Sequence, residues 1–183
     1  MTILLDDASS PTVRETMGRL MSAAASADLP VAHVRLAAID LQPAEVSRLH
    51  RLRLLLARFD AAFAADAHAL THEPARVRQL KQLHAFVESG RVEIRSTGAA
   101  IWAPDFSVFR GLGPAQEGVL LLGAHYFREL FGAHGAALTC VVREATAVKR
   151  AALRFDHLWD QAYDIRPIIA DTLQDVLACC GAV

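Results

Sequence analysis

Between Arg91 and Val142 the chain carries four short apolar or alternating runs, separated by glycine-containing turns. On both sides of that tract the apolar residues instead step by threes and fours. A period of two means strands and a period near 3.6 means helices, so the chain must build a layered α/β structure around its central strand cluster. Its 183 residues are 53% hydrophobic, which supplies apolar surface for a core and excludes a disordered polymer. A chain of this length buries roughly 70% of the surface its unfolded form exposes, with no need of a disulfide or a metal.

The pattern predicts a strand at Thr2 to Leu5. Ser10 and Pro11 then supply the cap and first turn of a helix reaching about Ala27, with Val13, Met17, Leu20 and Met21 inward. Pro30 opens a strand from Val31 to Ile39. Gln42 and Pro43 start a helix whose Leu49, Leu52, Leu56, Phe59 and Phe63 share one face, leaving Arg48, Arg51, Arg53 and Arg58 as a solvated one. Pro74 begins a helix through Val77, Leu80, Leu83 and Phe86 that stops at Ser89 and Gly90. Strands follow at Arg91 to Arg95, Ala100 to Arg110, Gly118 to Gly123 and Ala137 to Val142. Ala145 to Tyr163 returns to helical spacing with Leu153, Phe155, Leu158, Trp159 and Ala162 inside, and Arg166-Pro167 starts a last helix. No linker or low-complexity tract divides the chain, so residues 1–183 read as a single domain.

Charge and cysteine usage narrow the partners. Nineteen basic and 20 acidic residues leave a net charge of −1, which gives no general attraction to nucleic acid or an anionic membrane. From Arg48 to Arg95 the basic residues outnumber the acidic ones nine to five. No aromatic residue interleaves with the arginines from Arg48 to Arg58, and the tail from Asp156 is acidic, so nucleic acid is not the expected partner. Met1 to Leu5 runs straight into Asp6 and Asp7 with no basic flank, as a signal would need, and apolar stretches such as Val119 to Leu122 are too short to cross a bilayer. Cys140, Cys179 and Cys180 form no even framework, and the expected compartment is a reducing cytoplasm.

The tract from Val92 to Asp164 resembles a phospholipase D-like domain. That family carries a His-any-Lys triplet at the head of a strand, an Asp five residues after the Lys, and then a Gly-Ser-any-Asn turn. With Phe106-Ser107-Val108-Phe109 set on the family strand, Ala103 stands at the His position, Asp105 at the Lys position and Arg110 at the Asp position. Gly123-Ala124-His125-Tyr126 falls at the turn, and Phe155 and Trp159 match the closing helix. The resemblance implies a phospholipase D-like sandwich, a mixed β-sheet flanked by helices, acting as a homodimer. It also implies lost chemistry. A methyl group at Ala103 cannot attack phosphorus, and a carboxylate at Asp105 repels a phosphate, so no phospholipase or nuclease activity is expected.

The same frame implies that Trp102, Asp105, His125 and Tyr126 converge on one pocket. An aromatic wall with a carboxylate suits a small polar or cationic molecule or a partner peptide, in a sensor or regulatory role. Alternatively Asp105, His125 and Tyr126 perform acid-base catalysis in a rebuilt site of specialised metabolism. A third reading makes Trp102 and Tyr126 packing residues and His125 a turn cap. His68 and His72, with Asp66 and Glu73, lack the internal glutamate of the zinc-protease pattern and sit where Pro74 ends a helix, so no metal is expected. Asp156, Asp160 and Asp164 recur every four residues as a solvated face. There is no nucleophile elbow, phosphate-binding glycine loop, dinucleotide fingerprint or paired CxxC, and no cofactor is expected.

Overall fold

The structure, a computed structural model, describes residues 2–5, 10–31, 48–57, 59, 63, 74–98, 106–113, 118–122 and 139–179. In chain order these form β1 (Thr2–Leu5), α1 (Ser10–Ala23), β2 (Ser26–Val31), β3 (Arg51–Leu56), α2 (Pro74–Glu88), β4 (Val92–Ser96), β5 (Phe106–Arg110), β6 (Gly118–Leu122), β7 (Thr139–Val142), α3 (Ala145–Asp160), β8 (Tyr163–Asp164) and α4 (Arg166–Cys179). The strands join one mixed sheet of order β1-β7-β6-β5-β2-β3-β4-β8. β2, β3 and β4 run parallel, and every other pairing is antiparallel. Among the described residues no helix is long and apolar enough to cross a membrane.

Helices cover both faces of the sheet. On one face Leu29 and Val31, Leu52 and Leu56, Val92 and Ile94, and Leu121 pack with Met17, Leu20 and Met21 of α1, Leu80 and Val87 of α2, and Ile169, Leu173 and Val176 of α4. Alternation along each strand sends the intervening side chains to the other face. There α3 lays Val148 against Val108 and Leu120, and Phe155 and Trp159 against Leu55. Glu144 caps α3, its two carboxylate oxygens each accepting at 2.8 Å from the backbone N–H of Thr146 and of Ala147. The Thr146 side-chain hydrogen bond first, and then these two backbone ones, hold the carboxyl below the usual glutamate range.

From Val92 onward strands lie as expected at Phe106–Arg110, Gly118–Leu122 and Thr139–Val142, the rest of each expected span lying outside the described residues, but the helix expected to Tyr163 ends at Asp160 and gives way to β8. The helix expected through Leu49 to Phe63 is a strand over Arg51–Leu56. Leu49, Leu52 and Leu56 satisfy helical spacing, but Leu52, Leu54 and Leu56 also alternate, and parallel pairing to β2 and β4 on both sides decides for the sheet. Residues 32–39 of the strand expected from Val31 lie outside the described residues, and α1 ends earlier than expected, ahead of a strand over Ser26–Val31. Pro30 is tolerated inside it because registration with β5 ends at Asp28, so its missing N–H interrupts no ladder on that side. Within α3, Leu153 is 61% exposed rather than inward. It stands two residues from Phe155, roughly 200° around the helix, and the two cannot share one stripe.

Candidate functional site

Strand direction defines where a ligand cleft can form. The carboxyl ends of β2, β3 and β4, at Val31, Leu56 and Ser96, lie at one end of the sheet. β5 runs against β2 and β6 against β5, so Phe106 at the start of β5 pairs with Leu122 at the end of β6 at that same end. Chain order reverses around β2, which has β3 on one side and β5 on the other. In open α/β sheets such a switch point leaves a crevice outside the carboxyl ends, where ligands bind. Asp105 directly precedes Phe106 in the chain, and Gly123 directly follows Leu122. Trp102, Ala103, Asp105, His125 and Tyr126 themselves lie outside the described residues, as do His68 and His72.

The described rim of this end is polar and tied together. Thr97 donates its backbone N–H to the Leu56 carbonyl at 3.0 Å and its hydroxyl to the Ala57 carbonyl at 3.1 Å, joining the ends of β3 and β4. The fully buried Ser96 hydroxyl oxygen accepts from the Gly98 N–H at 3.2 Å. Gly98 has φ +68° and lies under the Tyr163 ring, where a Cβ would come within 2.8 Å of the ring. Both features require glycine.

A second constellation, on the α3 face of the sheet, is fully described and was missed from sequence. Asp28, 1% exposed in the middle of β2, receives Arg53 through Nε at 2.6 Å and Nη2 at 2.8 Å. The Arg110 guanidinium reaches the same carboxylate at 2.6 Å, and Arg53 continues to Asp156 of α3 at 2.7 Å. The chain of four is charge-neutral. Burial pushes the Arg53 guanidinium down, but the hydrogen bonds and fields of Asp28 and then Asp156 outweigh it and hold it above its ordinary value. Arg53 also lies 4.8 Å from the centroid of Phe155 and 5.4 Å from that of Trp159, while Arg95 stacks on Trp159 at 4.9 Å and donates to its carbonyl at 2.9 Å. The arginine expected on a solvated face and the Asp156 expected on another are thus partners. Only the lone charge of Asp28 in an apolar strand signalled them in the sequence.

Arg110, which stands where the resembling family has its Asp, is therefore held structurally. It sits at the far end of β5, about 13 Å along the strand from Phe106. Asp160 is exposed, and Asp164 accepts from the Arg166 N–H at 2.9 Å at the start of α4. Elsewhere, Lys81, His84 and Glu88 of α2 and Asp171, Gln174 and Leu177 of α4 line an open groove of about 360 Å³.

Solved structures share this architecture. Nuc from Salmonella typhimurium, a phospholipase D family member, superposes with a TM-score of 0.56 at 10% identity, covering 91% of this chain and 98% of its own. The fold is phospholipase D-like. NucT from Helicobacter pylori gives 0.53 at 6% identity over 90% of this chain and 99% of its own. TrmBL2, an archaeal chromatin protein with a novel mode of DNA binding, gives 0.50 at 12% identity over 90% of this chain. The chain spans about half of TrmBL2, 54% of its length. No family model and no curated protein sequence matches the chain.

Proposed function

We propose that this phospholipase D-like chain binds a small polar or cationic molecule, or a partner peptide, in the crevice at the carboxyl ends of β2, β3 and β4, without hydrolysing phosphodiesters. The observation that carries the reading is the pairing of Phe106 with Leu122 at that end of the sheet, which brings together the strand ends that adjoin Asp105 and Gly123. Trp102 supplies a stacking face, Asp105 the counter-charge, and His125 and Tyr126 polar contacts. A nucleophile and phosphate clamp are replaced by Ala103 and Asp105, and Arg110 is already engaged with Asp28. The resemblance further supports a homodimer whose sites face each other, in a regulatory or sensor role.

Thermal-shift screening of cationic and polar metabolites tests this reading. A hit stabilises the intact protein, and Asp105→Asn and Trp102→Ala each weaken that stabilisation. Hits that ignore both substitutions refute the assigned cleft. The second reading, a rebuilt enzyme in which His125, Tyr126 and Asp105 move protons, predicts that His125→Ala abolishes turnover of a hit while its binding persists.

A further inference from the structure

We propose that the outer face of α3 is a docking surface for an acidic peptide segment carrying an apolar side chain, independent of the cleft at the sheet end. Lys149, Arg150, Leu153, Arg154 and His157 recur at helical spacing and are all exposed. Among the described residues none of Lys149, Arg150 and Arg154 forms an ion pair. The acidic groups nearest them are turned to other tasks. Glu144 is occupied capping the helix, and Asp156 is bonded to Arg53, which leaves Asp160 in the last turn as the free carboxylate on this helix. The face is therefore positive although the chain as a whole is near neutral.

Leu153 decides between the anionic partners such a face could take. It is 61% exposed at the centre of the cations, while Val148, Phe155 and Trp159 of the same helix are buried against the sheet. A membrane-surface helix needs a row of apolar anchors, and here only one protrudes. A phosphate backbone offers nothing to an aliphatic side chain, and the face holds no aromatic residue on which a base could stack. A peptide supplies both parts, with carboxylates for the cations and one apolar side chain to cover Leu153.

The test uses fluorescence anisotropy of a short labelled Glu/Asp-rich peptide with one central Leu. The intact protein should bind it in a salt-dependent manner. The double variant Lys149→Glu/Arg150→Glu should weaken binding by at least about tenfold, and Leu153→Ser several-fold. All three positions are exposed, and circular dichroism checks that each variant keeps its helices. The absence of peptide binding at low salt overturns the proposal. So does a duplex DNA or a phosphatidylserine vesicle bound at least as tightly with no loss in Leu153→Ser, which would mark the face as unselective for anions or as membrane-directed.

Discussion

The two faces of the sheet are held by different forces. Against α1, α2 and α4 the sheet is covered by aliphatic packing, with Leu52, Leu56, Phe109 and Leu173 each at most 1% exposed. Against α3 the middle of the interface is a chain of ions, Arg110 to Asp28 to Arg53 to Asp156, roofed by Phe155 and Trp159. Aliphatic packing adapts to the loss of a methyl group, whereas a buried ion depends on its partner. The second face should thus be the more brittle and the more specific in register.

Asp28→Ala should do the most damage, because it removes the buried carboxylate that two arginines share and leaves Arg53, 8% exposed at its side chain, with Asp156 alone. Denaturant unfolding should register a loss of about 3–5 kcal/mol. The double variant Asp28→Leu/Arg53→Met should lose less than that single change, since Arg110 and Asp156 retain access to water, at 32% and 46% side-chain exposure. If the double variant is the worse of the two, the ion chain is not what makes this face brittle. On the aliphatic face, Ile165→Val, at a position 1% exposed, should cost about 0.5–1.5 kcal/mol in the same measurement.

The smallest effect concerns Glu93, at the open margin of the charged face. Its hydrogen bond from Arg51 holds the carboxyl below the usual glutamate range, aided by the charges of Arg51, Arg53 and Arg95 and opposed by burial. A depressed carboxyl contributes stability that is complete above the usual glutamate value and is lost as pH falls through the folded value. The difference in stability between the intact protein and Arg51→Ala should therefore be present at neutral pH and shrink on acidification. With Glu93 39% exposed at its side chain, added salt should shrink it too.

The contrast between the faces also explains what the sequence reveals. β5 and β6 are legible as strands because short apolar runs flank the glycines at 111 and 113, while their antiparallel register is read only from the structure. Phe155 and Trp159 are legible because four-residue spacing names one helix face. β3 is misread because its leucines fit both periods, and only parallel neighbours from distant segments choose between them. Asp28 and Arg53 are illegible for the same reason, as 25 residues separate partners that cross-strand register puts side by side. The candidate cleft follows from element order through the strand ends at Phe106 and Leu122. Trp102, Asp105, His125 and Tyr126 are the residues proposed for it from the sequence, and they lie outside the described residues.

We propose that the phospholipase D-like fold persists here without phosphodiester chemistry, and hydrolysis of bis-p-nitrophenyl phosphate by the purified protein is the decisive assay. No nitrophenol release above that of buffer is expected across neutral pH. Robust turnover that Asp105→Ala abolishes would contradict it.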